Sequence, residues 1–213
     1  ESLAIPGTGP REQLAVADWF RRHHPGNDLR GLVFGLDARW CGAQSLKQLQ
    51  NPFPFWLYSD YAVVYAARLL QFKSFEAAAR MIKLRLGRVP AMRRDGYNDY
   101  ETGKAWDPAG FSQRANEKSA APPEDLEAGL AAGFPAAAKL GAFLRQLPTA
   151  MHIVLVFPPR HYTALPPPGS AAASALQACK DRFRAVARVR AHTQVIDFAR
   201  DDAIARRDDD FWD

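Results

Sequence analysis

The sequence predicts an α/β protein with a doubly wound parallel sheet, and two observations lead to that fold class. Four short apolar runs have the composition of buried strands and are bounded by turn residues: Ser2–Pro6, Gly31–Leu36, His152–Phe157 and Gln194–Phe198. Helical segments separate these runs, and alternation of strands and helices is typical of parallel sheets covered by helices on both faces. We therefore expect three layers, with the sheet in the middle.

The segments between the strands have the spacing of amphipathic helices. Two of them begin close to a proline, and a third carries a single apolar stripe. Two more have a serine in the predicted N-cap position, and Gly87 closes the second of these. The predicted helices are Pro10–His24, Ser59–Gln71, Ser74–Leu86, Phe134–Leu147 and Ser170–Val189.

Length and composition predict a single domain over residues 1–213 with a long insertion at about 43–123. Hydrophobic residues make up 47% of the chain and charged residues 24%, which is the balance of a globular protein rather than a disordered one. No apolar run is long enough to span a membrane. The insertion begins with the two serine-capped helices, and its polar part, from 88 to 123, has no assigned structure.

Charge and cysteine spacing exclude several kinds of partner. The 28 basic residues are scattered among 23 acidic ones, although the net charge is +5, so we expect no nucleic-acid binding. Cys41 and Cys179 lack metal-ligand spacing, and both a disulfide and two buried thiols fit them. The Gly7-Thr8-Gly9 turn lacks the third glycine of a dinucleotide loop, because Glu12 takes its place. No metal and no cofactor are predicted.

Candidate site residues follow the predicted strands, because doubly wound sheets bind ligands beyond the carboxyl ends of their strands. Each has a structural alternative. Gly7 either shapes a tight turn or offers a backbone N–H to a ligand. Asp37 either caps the next helix or orients a donor. Arg160 and His161 follow the third strand, where His161 either lines a site or belongs to a surface loop.

The last residues, Asp208-Asp209-Asp210-Phe211-Trp212-Asp213, are unusual for a chain end because tails rarely carry Phe-Trp. Phe211 and Trp212 either anchor the segment under the sheet or pack the loop so that Asp213 is presented at its active edge.

Taken in order, PGTGPREQL, GLDARWC, PFPFWLY, VFPPRHY and DDDFWD resemble the SGNH (GDSL-type) hydrolase superfamily. The nearest resemblance is to bacterial envelope proteins with an SGNH-like domain, related to the alginate O-acetylation type. It implies a flavodoxin-like sheet of strand order 2-1-3-4-5. The strand absent here would be the first and central one, leaving a gap of about 10 Å, two strand spacings, between Ser2–Pro6 and Gly31–Leu36.

The resemblance also implies residue roles. Gly7 matches the block that gives an oxyanion-hole N–H, and Gly35 and Asp37 match the Gly-x-Asn block, with Asp37 where the family has asparagine. A carboxylate there would repel an oxyanion, so Asp37 is expected to orient backbone or substrate hydroxyls. Asp213 matches the aspartate of the Asp-x-x-His ending. The family's nucleophilic serine and its histidine would fall outside these 213 residues, so the chain is expected to be an internal fragment.

The implied activity is Ser–His–Asp ester hydrolysis or O-acyl transfer on an acylated substrate, glycans included, in the full-length protein. Arg160 and His161 are candidates for lining the substrate. Two alternatives remain open: a non-catalytic domain of the same fold that binds a glycan or a partner, and an unrelated doubly wound small-molecule binder. The resemblance implies a periplasmic or cell-envelope location, and it is compatible with an N-terminal membrane anchor before Glu1.

Overall fold

The computed structural model describes residues 8–24, 30–47, 53–88, 125–208 and 211. Contacts divide the chain into two compact units, one made of Glu1–Phe53 with Asp107–Asp213 and the other of Pro54–Trp106. The second unit falls inside the predicted insertion. Whether residues 1–213 form one domain stays a prediction.

Helices separate the three strands along the described chain. Helix α1 spans Pro10–His23, strand β1 spans Gly31–Gly35, and a 3-10 helix follows at Ala38–Cys41. The second unit contains a 3-10 helix at Phe55–Tyr58, then α2 (Ala62–Leu69) and α3 (Phe72–Arg85). The first unit resumes with α4 (Leu126–Ala131), α5 (Pro135–Leu144), β2 (His152–Phe157), a 3-10 helix (Tyr162–Ala164), α6 (Ala171–Arg188) and β3 (Thr193–Asp197).

The three described strands form one parallel sheet in the order β1-β2-β3. Phe34 pairs with Leu155 and Leu155 with Val195, so the three strands run in register. The prediction of parallel strands over 31–36, 152–157 and 194–198 is therefore confirmed to within a residue at each end. The predicted first strand and the gap beside it lie outside the described residues.

One face of the sheet forms the hydrophobic core. Alternate side chains of β1 and β2, including Phe34, Ile153 and Leu155, are buried together with side chains of α1, α5 and α6. The other face is more open: Val33 is 68% exposed, and Val154 and Val156 are half-buried. Within the described part of the first unit, the helices thus cover one face. Cover on the other face, which the three-layer expectation requires, is not seen among these residues and stays a prediction.

Helix ends explain where α1 and α6 begin. Pro10 occupies the first turn of α1, where its missing N–H removes no helical hydrogen bond. The Glu12 carboxylate accepts a hydrogen bond from Gly9 N at 3.1 Å. In α6, the Ser170 hydroxyl accepts one from Ala173 N at 3.1 Å, as an N-cap does. Both helices match their predicted segments.

In the second unit the two helices are present, but their predicted serine caps are wrong. Tyr61 and Gln71 are the N-cap residues of α2 and α3, so Ser59 lies before α2 and Ser74 lies inside α3. The Ser59 hydroxyl instead accepts a hydrogen bond from Tyr61 N at 3.2 Å, and the Ser74 hydroxyl donates to Arg68 O at 3.3 Å, so both serines bond to the backbone outside an N-cap position. Gly87 does close α3: it has φ +69°, and Arg88 N donates to Lys83 O at 2.9 Å.

A disulfide joins Cys41, at the end of the first 3-10 helix, to Cys179 in the middle of α6. Their Cα atoms are 5.7 Å apart, and neither residue is exposed to solvent. The sequence left a disulfide and two free thiols open, and the fold brings the two sulfur atoms into a bond. The bond fixes the loop that follows β1 against α6, the longest helix in the described part of the first unit.

Candidate functional site

The carboxyl ends of the three parallel strands meet at one edge, and a pocket of about 10 Å³, room for about one water molecule, opens there. Its walls come from the segments after β1, β2 and β3 together with one residue of α6. Most of the lining is apolar, and its two charged members are Asp37 and Arg160. The full lining is Leu36, Asp37, Ala38, Phe157, Pro158, Arg160, Leu176 and Ala199. Two of the predicted site residues therefore lie together.

Asp37 caps the 3-10 helix that follows β1. Its Oδ1 accepts a hydrogen bond from Arg39 N at 3.1 Å. Burial raises the pKa of the Asp37 carboxyl, and this outweighs the positive charges of Arg39 and Arg160 and the backbone N–H groups of Arg39 and Trp40, which lower it. The carboxyl therefore keeps its proton to a higher pH than an ordinary aspartate, and in that form it can donate a hydrogen bond.

Buried side chains and a close backbone contact hold the loop that carries Asp37 in place. Trp40 and Cys41 are fully buried, and the Trp40 ring makes edge-to-face contacts with Phe34 and Phe183, at centroid distances of 6.4 and 5.9 Å. Gly129 of α4 lies so close that a Cβ there would stand 1.8 Å from the Cys41 carbonyl oxygen. Packing and the disulfide together fix the position of Asp37 relative to the sheet.

His161, in the loop after β2, is buried and bonded on both ring nitrogens. Nδ1 lies 2.7 Å from the Thr163 hydroxyl oxygen and Nε2 lies 3.0 Å from Asp208 Oδ1. Only 8% of the residue is exposed. Arg160, the preceding residue, lines the pocket, whereas His161 is not among the residues that line it. Sequence reasoning did not find Asp208 as its partner, since 47 residues separate them.

A buried ion pair contacts Ala199, the pocket-lining residue that follows β3. Lys180 of α6 donates from Nζ to the Ala199 carbonyl and lies 3.0 Å from Asp197 Oδ1, while Arg184 holds the other oxygen of Asp197 at 3.0 Å. Lys180 is 5% exposed. Sequence reasoning missed this group, although a lysine between the buried Cys179 and Phe183 of an apolar helix face was a usable signal.

The other predicted site residues have different outcomes. Gly35 ends β1, and a Cβ there would meet nothing within 4 Å, so no close contact requires glycine at this position. Gly7 and Asp213 lie outside the described residues. In the part of the chain that is described, no group of three or more His, Cys, Asp or Glu could hold a metal ion. Nor is any helix there long and apolar enough to cross a bilayer.

A comparison with protein-family models, with curated proteins and with solved structures finds no match to this chain. The resemblance to SGNH hydrolases therefore rests on the sequence blocks alone and stays a prediction.

Proposed function

We propose that this chain is part of an SGNH-type serine ester hydrolase or O-acyltransferase acting on an acylated substrate, glycans included. One observation carries the proposal: a pocket with one carboxyl and one guanidinium lies beyond the carboxyl ends of a parallel sheet. That is where α/β folds of this kind bind their ligands. The proposal includes the finer fold, a three-layer flavodoxin-like sheet whose central strand lies outside the chain.

The proposed chemistry uses Asp213 together with a serine and a histidine that lie outside these 213 residues. The serine oxygen attacks the acyl carbonyl while the histidine takes its proton, and the histidine then gives that proton to the departing alcohol. Water, or a sugar hydroxyl in the transferase, attacks the acyl-serine in the second half. Asp213 orients the imidazole, and backbone N–H groups at Gly7 and Gly35 serve the oxyanion.

Arg160 has a clear part in this proposal because its charge acts on the pocket that it shares with Asp37. A guanidinium offers several N–H donors in a fixed plane, which suits the carbonyl and hydroxyl oxygens of an acylated sugar. We propose that Arg160 binds the substrate. His161 has its ring nitrogens engaged with Thr163 and Asp208, so its part would be indirect.

One observation favours the alternative, a non-catalytic glycan- or partner-binding domain. Asp37 stands where SGNH hydrolases carry the oxyanion-hole asparagine, and an ionised carboxylate there opposes a developing oxyanion. The raised pKa of Asp37 lessens this conflict only while the carboxyl remains protonated. The activity assay below decides between the two functions.

We further propose a periplasmic or cell-envelope location, in line with the resemblance. The support is the Cys41–Cys179 bond, since disulfides persist in oxidising compartments and are rare in reducing ones.

The test is esterase activity of the longer protein that contains the serine and histidine blocks, with p-nitrophenyl acetate as substrate. Asp213→Asn should lower kcat by about 10⁴-fold, because the imidazole loses the partner that fixes its tautomer. Asp210→Asn is the matched control, since it removes the same charge three residues earlier and should leave kcat within about twofold. The 213-residue chain alone should not exceed its unfolded control.

Other results would decide against the enzyme. If the longer protein has no esterase activity but binds acylated glycans in a titration, the binding domain is the correct function. If Asp213→Asn and Asp210→Asn behave alike, Asp213 is not the triad aspartate.

A further inference from the structure

Helix α3 of the second unit carries an apolar stripe on its solvent-exposed side. Five apolar residues recur at intervals of three and four positions and so share one side of the helix: Phe72, Phe75, Ala79, Ile82 and Leu86. The four large side chains among them are between 60% and 82% exposed. Single exposed apolar residues are ordinary on a protein surface, whereas a continuous row of them marks a surface that contacts a partner. We call this row the outer stripe.

The outer stripe is not the side by which α3 packs within its own unit. Leu84 is buried, and it lies about 160° around the helix axis from Ile82, because each residue advances the helix by about 100°. Helix α3 therefore packs through the side that carries Leu84. The outer stripe is a second apolar side.

Helix α2 adds to this apolar surface. It contacts α3, and all eight of its residues, AVVYAARL, are exposed, although Arg68 is the only charged residue among them. A helix that is apolar on nearly every side is usually buried in a core or placed in a lipid environment. The two helices together thus present far more apolar surface than their own unit covers.

Basic residues are concentrated in the same part of the chain. Residues 54–88 contain six Lys or Arg and two Asp or Glu, a net charge of +4, whereas the whole chain has a net charge of +5. Around α3, Arg80 and Lys83 follow the outer stripe on one side and Arg85 on the other, and all three are exposed. The apolar stripe is therefore flanked by cations.

An anionic lipid bilayer matches both properties of this surface. Helices that lie in a membrane interface place Phe and Leu at the boundary of the acyl chains, while Lys and Arg extend to the phosphates. A second copy of the chain would match the stripe, but it would bring together two surfaces that each carry a net charge of +4. Helix α3 has 14 residues and is about 21 Å long, so it suits an orientation along the bilayer surface, whose apolar core is about 30 Å thick.

We propose that α2 and α3 bind the surface of an anionic phospholipid bilayer. Phe72, Phe75 and Ile82 enter the boundary of the acyl chains, and the flanking cations contact lipid phosphates. The proposal is independent of the proposed function, because none of these residues lines the pocket at the strand ends.

The first test is co-sedimentation of the 213-residue chain with vesicles of equal parts phosphatidylglycerol and phosphatidylcholine, and with vesicles of phosphatidylcholine alone. Each Lys or Arg near an anionic surface contributes about fivefold in affinity. With three flanking cations, wild type should bind the anionic vesicles about 100-fold more tightly than the neutral ones. Added salt should reduce this difference, because it screens the attraction.

Two double variants separate the apolar contribution from the charge contribution. Phe72→Gln/Phe75→Gln should weaken binding to both kinds of vesicle by about 30-fold, since two rings no longer leave water. Arg80→Gln/Lys83→Gln should weaken binding to anionic vesicles by about 25-fold and leave binding to neutral vesicles unchanged. All four side chains are exposed and glutamine is a good helix former, so far-UV circular dichroism should match wild type.

The matched control for charge is Arg182→Gln/Arg188→Gln on α6. It removes the same two charges from the whole chain, at exposed positions of a helix in the first unit. Binding to anionic vesicles should stay within about twofold of wild type, because the surface potential falls off within a Debye length.

A second test reports which side of α3 meets the bilayer. Single nitroxide labels are placed at Phe75→Cys, on the outer stripe, and at Met81→Cys, an exposed position about 120° around the helix. On addition of anionic vesicles, the label at position 75 should lose most of its collisions with a water-soluble relaxation agent. The label at position 81 should keep them.

Several results would overturn the proposal. These are no binding to anionic vesicles, equal binding to anionic and neutral vesicles, and wild-type binding by Phe72→Gln/Phe75→Gln. Equal losses in Arg80→Gln/Lys83→Gln and Arg182→Gln/Arg188→Gln would show attraction by net charge alone. If the chain sediments as a dimer that Phe72→Gln/Phe75→Gln dissociates, and it binds no vesicles, the outer stripe is a contact between two copies.

Discussion

Removing the Cys41–Cys179 disulfide should destabilise the first unit strongly. The bond closes a loop across a sequence separation of 138 residues. In the chain-entropy description a loop of that length restricts the unfolded chain enough to add about 5 kcal/mol to the free energy of unfolding. That amount is as large as the lower end of the total stability of a typical domain, about 5 kcal/mol. We expect the reduced protein to be marginally stable.

The assay is guanidinium denaturation of the 213-residue chain followed by far-UV circular dichroism. It compares the oxidised wild type, the wild type with reductant and the Cys41→Ala/Cys179→Ala double variant. The last two should both lose about 5 kcal/mol of unfolding free energy, and reductant should not affect the double variant, which is the control for non-specific effects. Two titratable thiols in the unfolded, unreduced wild type would refute the bond. So would a midpoint that reductant does not change.

Three further predictions concern the surroundings of the pocket. Asp37→Asn should raise the unfolding free energy at pH 7, because burial disfavours the charged carboxyl while asparagine can still cap Arg39 N. The gain should shrink as the pH falls through the raised pKa of the folded state, and it should disappear at about pH 3, below the ordinary aspartate pKa of about 3.9, where Asp37 is protonated in both states. Gly129→Ala should lower the unfolding free energy, measured by thermal unfolding, by about 3 kcal/mol because its Cβ would collide with the Cys41 backbone. Gly141→Ala makes only ordinary contacts with Val186 and should raise the unfolding free energy by up to about 1 kcal/mol. Lys180→Ala should lower the unfolding free energy, measured by urea denaturation, by about 3 kcal/mol. Arg184→Ala should lower it by about 1 kcal/mol or less, because Arg184 is more exposed.

Each of these predictions has a result that would contradict it. If Gly129→Ala and Gly141→Ala change the unfolding free energy equally, the backbone approach at Cys41 is not close. If Lys180→Ala and Arg184→Ala lower it equally, burial of the Lys180 ammonium does not affect stability. For Asp37, an advantage of the asparagine variant that is the same at about pH 3 as at pH 7 would show that the charge is not its cause.

The sheet was predictable because its signals are local. A run such as HIVLVF is apolar, rich in β-branched residues and followed by two prolines, so both its type and its bounds can be read from the sequence. Both faces of β2 carry apolar residues, yet Val154 and Val156 are only half-buried. Composition alone cannot distinguish a strand covered on both faces from one that is covered on a single face.

The caps and the buried charges were harder to predict. Ser59 and Ser74 have the right residue type for capping, but α2 begins three residues after Ser59 and α3 begins two residues before Ser74, so residue type alone does not locate the first turn. The His161–Asp208 and Lys180–Asp197 pairs join residues that are 47 and 17 positions apart. The place of Lys180 on the apolar face of its helix indicates a buried charge, but a single sequence does not indicate which residue pairs with it. For the site, topology predicted that Asp37 and Arg160 follow adjacent strand ends, and the structure brings them to one pocket.

The most direct test of the central claim is fluorophosphonate labelling of the longer protein, with the labelled residue identified by mass spectrometry. Fluorophosphonates react with a serine that a nearby histidine activates. The proposed SGNH-type mechanism predicts one labelled serine outside residues 1–213 and a strong loss of labelling in Asp213→Asn but not in Asp210→Asn. A labelled serine within these 213 residues, or no labelling of a folded protein, would contradict it.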